Sequence, residues 1–203
     1  DISELSINRP GELFIERLGR NEMELVISSE FTSTWIGKLA ERVAGSTDQL
    51  VNAERPILSA ALPSGERFQC VLPPAAPDGG AISIRKQVIK EISLSGYKEA
   101  GAFAKTRMGR SLELSDAEQE LIGLLDGDPM EFLSCAVKGR VSIVVSGGTS
   151  TGKTTFLNAL LKEIPSSERI ITIEDTRELK PTTPNTLALI ASKGDQGKAR
   201  VDA

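Results

Sequence analysis

Histidine is absent from all 203 residues, which removes His-based catalytic triads and His-ligated metal centres from consideration. The two cysteines, Cys70 and Cys135, stand in unrelated contexts with no metal-ligand spacing, and a reducing cytosol is the simplest compartment for them. No apolar run approaches the roughly 18 residues of a membrane span, and no charged-then-apolar signal segment opens the chain. Excess charge of one sign is also missing. The net charge is -4, with Lys, Arg, Asp and Glu interspersed, so no basic face announces nucleic acid or anionic lipid, and any anion site must be local. An Asn-Lys-x-Asp run that would read a guanine base does not occur. The chain starts at Asp1 rather than Met, as a processed, trimmed or partial chain does. What is present is a hydrophobic fraction of 39%, enough for an ordinary globular core.

Hydrophobic periodicity divides the chain. Leu5-Ser6-Ile7 alternates, Arg9-Pro10-Gly11-Glu12 has the form of a type II turn, and Leu13 to Arg17 resumes extended character, so a β-hairpin is expected. Trp35, Ile36, Leu39, Ala40 and Val43 fall at helical spacing after a cap at Thr32 or Ser33, with Gly45 past the end and Trp35 read as core. Short strands follow at 57–62, 67–72 and 81–86. Residues 1–104 therefore read as an α+β domain. The basic, Gly-containing stretch 105–114, with Lys105, Arg107 and Arg110, reads as a linker.

From residue 115 the pattern changes. Ser115-Asp116-Ala117-Glu118 is a capping box that opens a helix through about Leu125, and Asp128-Pro129 caps a second that stops at Gly139. Val141 to Val145 reads as a short buried strand running into a glycine-rich loop. A helix from Lys153 to about Glu163 and a strand from Arg169 to Ile173 complete the expected βαβ unit.

The loop is Gly147-Gly148-Thr149-Ser150-Thr151-Gly152-Lys153-Thr154, a full G-x-x-x-x-G-K-[ST] P-loop. Its glycines let successive N–H groups curl around phosphate oxygens, and the helix that starts there adds the positive end of its dipole. Lys153 is placed to reach the β- and γ-phosphates of ATP, and the Thr154 hydroxyl to ligate Mg²⁺. The strand before Glu174 and Asp175 delivers both to the edge that carries the P-loop. One of the two orients or deprotonates the attacking water, or the pair only caps a turn, or the strand is a Walker B element. Arg85, on the polar face of its strand, either contacts phosphate or is a solvated charge, and Arg107 and Arg110 face the same choice.

The run Ser146 to Thr155, through Thr155 itself, followed by Ile170-Ile171-Thr172-Ile173-Glu174-Asp175-Thr176-Arg177-Glu178-Leu179, closely resembles the type IV secretion and conjugal-transfer traffic ATPases. It resembles more weakly their relatives in type II secretion and type IV pili. Ile7 to Glu12, Ile82 to Lys86 and Lys193 to Gly197 are similar to that family as well. The resemblance implies a homo-hexamer in which an α+β N-terminal domain is linked to an α/β RecA-like P-loop ATPase domain, here residues 115–203. It further implies ATP and Mg²⁺ as cofactors, Glu174 as catalytic glutamate and Arg85 as phosphate sensor. The expected partners are inner-membrane secretion components, with a cytoplasmic location or peripheral attachment at the inner membrane and no direct nucleic acid. In the family a Walker B strand and a histidine box follow, so the RecA-like domain is expected to be incomplete, with weak nucleotide binding and little hydrolysis by this chain alone. The competing expectation is a nucleotide-dependent regulatory module without turnover.

Overall fold

The computed structural model describes residues 2–20, 22–86, 93–104, 106, 114–125 and 127–191. Strands β1 (Ile2–Ile7), β2 (Glu12–Arg17), β3 (Glu24–Ile27), β4 (Ile57–Ala61), β5 (Arg67–Val71) and β6 (Ala81–Arg85) form a six-stranded sheet in the order β3-β2-β1-β6-β5-β4. Every neighbouring pair is antiparallel. The β1–β2 hairpin turns at Gly11, whose φ of +87° is what the third position of a type II turn requires.

Register explains the core of this sheet. Leu58 pairs with Cys70, Cys70 with Ile82, and Ile82 with Ile7, so these four side chains form one row across β4, β5, β6 and β1. Helix α1 (Ser33–Ser46) covers that row with Ile36, Ala40, Val43 and Ala44. Phe68 joins them at 1% exposure. The Thr32 hydroxyl caps α1 by accepting from the Trp35 amide at 3.1 Å. Two details differ from the expectation: Gly45 lies within the helix, and Trp35 is 39% exposed. Trp35 sits one step round from the buried stripe and packs edge-on against Phe31, with ring centroids 5.2 Å apart.

The later segment contains α5 (Lys153–Leu161), β7 (Ile170–Glu174) and β8 (Thr186–Ile190). β7 and β8 form a parallel pair. The expected strand at 141–145 is not formed: residues 141–148 carry no regular structure and pair with no strand among the described residues. A strand needs a neighbour for its amides and carbonyls, and the parallel partner of β7 is instead β8, which periodicity had not singled out.

Several contacts tie this segment to the first sheet. Leu187 packs with Ala76 and Ala81, and the Ile190 amide donates to the Ala75 carbonyl at 2.8 Å. At the other end of β7, Arg169 donates to Glu4 at 2.9 Å and to Asn8 at 3.2 Å. Asn8 in turn donates to Asn185 at 2.5 Å.

Three further helices are α2 (Leu94–Glu99), α3 (Asp116–Leu125) and α4 (Pro129–Lys138). The α3 capping box is present as expected, the Glu118 carboxylate accepting from the Ser115 amide at 2.6 Å. Asp128 caps α4 through the Met130 and Glu131 amides, and Gly139 ends it. By contact the described chain falls into two compact units, one from residues 1–87 and 144–203 and one from 88–143. That grouping cuts the chain at other points than the sequence division at 104 and 115. Lys105, Arg107, Arg110 and Lys193 to Gly197 lie outside the described residues.

Candidate functional site

The P-loop leads directly into α5. Ser150 has a φ of 59° and Gly152, the N-cap of α5, a φ of 87°. These left-handed residues turn the chain sharply into the helix. Gly147 stands in close approach to the next turn of the loop: a Cβ there would lie 2.8 Å from the Thr151 Oγ1, and that hydroxyl would have to move. The Thr151 hydroxyl donates to the Gly148 carbonyl at 3.0 Å, and the Lys153 ammonium donates to the same carbonyl. The first turn-closing bond of α5 is Phe156 N–H to the Gly152 carbonyl. The amides of Gly148 to Thr155 find no acceptor among the described residues. Open N–H groups, a lysine and a helix N-terminus in one place form a cradle suited to phosphate oxygens.

The segment after β7 folds back over this helix. Thr154 and Asn158 are four residues apart on α5 and share a face. The Thr154 hydroxyl donates to Glu178 Oε2 at 3.0 Å, the Asn158 Nδ2 donates to the Glu178 carbonyl at 3.2 Å, and the Asn158 Oδ1 accepts from the Lys180 amide at 2.8 Å. Glu174 organises the same turn from within: its Oε2 accepts from the Glu178 and Leu179 amides at 2.7 and 2.9 Å. Its Oε1 is buried without a partner among the described residues. Asp175 accepts from the adjacent Thr176 amide at 2.9 Å, a local turn contact.

Arg177, in the same turn, forms a two-pronged pair with Asp78, at 2.7 and 2.9 Å. Asp78 belongs to the connection between β5 and β6. Its hydrogen bond pushes the arginine pKa above the ordinary value, so the guanidinium stays charged.

The structure thus brings Gly147, Gly148, Lys153, Thr154 and Glu174 to one region, with Thr149, Ser150, Thr151, Gly152 and Thr155 in the loop and first helical turn between them. Arg85 stands apart from these contacts, exposed at the end of β6, opposite Glu4 on β1 and Arg67 on β5. Among the described residues no three His, Cys, Asp or Glu side chains cluster as a ready-made metal site. A magnesium ion bound mainly through nucleotide phosphates needs only one or two protein oxygens, and the Thr154 hydroxyl beside Glu178 fits that requirement. Sequence reasoning passed over Glu178 and Asn158. The i,i+4 spacing of Thr154 and Asn158 was the available signal for Asn158. Asp78, in a Pro/Gly-rich connection, had none.

A family profile described as type II/IV secretion system protein matches residues 2–202. The chain is 42% identical over 187 residues to the type IV secretion system protein VirB11 of Brucella suis, covering 91% of this chain and 51% of that protein. It is 38% identical over 211 residues to the PtlH homolog of Bordetella bronchiseptica, covering 100% of this chain and 60% of that protein. It also matches the crystal structure of the VirB11 ATPase from the Brucella suis type IV secretion system in complex with sulphate, with a TM-score of 0.86 and 41% identity over 93% of this chain and 58% of that one. The chain therefore spans between half and two thirds of the length of these relatives.

Proposed function

The chain belongs to the type II/IV secretion system protein family, and on that premise we propose that it binds and hydrolyses ATP as the motor of a type IV secretion or conjugation system. The observation that carries the reading is the cradle of open amides at the start of α5, with Lys153 and Thr154 inside it. The amides of 148–155 bind and orient the phosphates, and Lys153 exchanges the Gly148 carbonyl for phosphate oxygens. The Thr154 hydroxyl would hold Mg²⁺, which when bound would supply charge neutralisation on the nucleotide phosphates. Glu174 positions or deprotonates the attacking water, its unpartnered Oε1 being an acceptor that such a water would satisfy. Arg85 is assigned to sense phosphate charge from the family resemblance alone.

In the same reading the P-loop segment belongs to a RecA-like domain, the assembly is a homo-hexamer, and the partners are inner-membrane secretion components. The protein works in the cytoplasm or at the cytoplasmic face of that membrane. No helix among the described residues is long and apolar enough to cross a bilayer. The names of the relatives favour a motor over a regulatory module without turnover.

Replacing Lys153 by Ala tests the reading. Titration with ATP and Mg²⁺ is expected to show weak but measurable binding by the protein and its loss in the variant, with the small hydrolysis this chain carries alone falling to background. A protein that does not bind ATP, or a variant that binds and turns over normally, would overturn it.

A further inference from the structure

We infer that Glu178 is the carboxylate that orients the cation site, acting through Thr154 on the divalent ion that accompanies the nucleotide. The inference rests on the proposed nucleotide function and adds to it a residue with a separate role from Glu174. A threonine hydroxyl has one proton to donate and two lone pairs to offer. Here the proton is committed: Thr154 Oγ1 donates to Glu178 Oε2 at 3.0 Å. A hydroxyl locked in that way presents its lone pairs away from the carboxylate, and these are what a hard cation needs.

The carboxylate is itself held in place through its backbone. The Glu178 amide donates to Glu174 Oε2 at 2.7 Å, and the Glu178 carbonyl accepts from Asn158 Nδ2 at 3.2 Å. Both anchors sit on elements that flank the P-loop, the end of β7 and the α5 helix. The two glutamates therefore divide the work by geometry. Glu174 spends one oxygen on the backbone of the turn and leaves the other buried and free. Glu178 is exposed, directs its side chain onto the P-loop threonine, and adds negative charge beside the ion's position. Its free oxygen can accept from a water in the cation's shell. It is a positioning residue, not a group that touches the reacting atoms.

The test is the Mg²⁺ dependence of nucleotide affinity, measured by titrating ADP with Mg²⁺ or with EDTA into the wild-type protein, Glu178→Gln, Thr154→Ala and the double variant. Glu178→Gln keeps the shape of the side chain and lies at an exposed position, and its thermal melt should match the wild type. The expected result is an EDTA affinity within about 2-fold of wild type and a loss of roughly 10-fold in the Mg²⁺ enhancement. In the Thr154→Ala background the Gln substitution is expected to add little, since the residue acts through that hydroxyl. Binding of Mn²⁺ in the presence of ADP, read by its paramagnetic signal, should weaken in parallel. An unchanged Mg²⁺ enhancement in Glu178→Gln overturns the role of Glu178 and leaves the nucleotide function standing. So does an equal loss with EDTA and with Mg²⁺, which would make Glu178 a brace for the turn only. A wild-type protein that binds no nucleotide under either condition overturns both readings.

Discussion

In the six-stranded sheet, Leu58, Phe68 and Cys70 lie sealed beneath α1 at 1% exposure each, while in the P-loop segment Val144 is 92% exposed and Ile173 56%. The sheet closes its own hydrogen-bond ladders through five antiparallel pairings. The P-loop segment has one two-stranded ladder and hangs the turn after β7 on side-chain bonds from Thr154, Asn158 and Glu174. The difference separates stability from chemistry. Buried apolar area holds the first region and also seats β8, through Leu187 against Ala76 and Ala81, whereas the turn after β7 is ordered by polar contacts with α5. Burial also silences a nucleophile in the first region: the Cys70 thiol is pushed up to about 12 by desolvation, so it stays protonated and inert.

The largest expected effect would come from attacking the sheet. Phe68→Ala removes the largest fully buried side chain and is expected to cost about 3–5 kcal/mol of folding stability. Denaturant melts would measure it, and a loss below about 1 kcal/mol would show that α1 does not seal the core as described. Next comes the cradle. Gly147→Ala places a Cβ 2.8 Å from Thr151 Oγ1 and is expected to weaken nucleotide binding by roughly 10-fold or more through misplaced amides. The melting midpoint should hardly move, because the loop contributes no buried core. If the midpoint falls as far as for Phe68→Ala, stability and chemistry are not separated in this fold.

The smallest effect belongs to one of the ties between the two regions. Asp78→Asn weakens the Arg177 pair, whose arginine side chain is 50% exposed, so the stability cost should stay under about 1 kcal/mol. A larger cost in a melt would place this pair among the supports of the fold.

Much of this was legible beforehand, for reasons that differ along the chain. Local signals act within a turn or a helical repeat, so the Gly11 hairpin, the Thr32 cap, the Ser115–Glu118 box and the P-loop could all be read from neighbouring residues. β3 and α2 escaped notice because each is short, and β8, as long as β7, carries its apolar run without an alternation that marks a face. Residues 141–145 misled in the opposite direction. Their apolar run states a strand's preference, but a preference becomes a strand only when a neighbour accepts its ladder.

The site shows the same division. The sequence by itself determined that Gly147 to Thr154 would form a glycine-rich loop running into a helix that starts at Lys153, because glycine spacing and a helix start are local geometry. It also placed two acidic residues at the end of the following strand. Only the tertiary structure decided that Glu174 would hold the turn's backbone, that Glu178 would take the Thr154 hydroxyl, and that Arg177 would reach Asp78, 99 residues away. Side-chain partners of that kind depend on which elements lie side by side, and packing alone sets that.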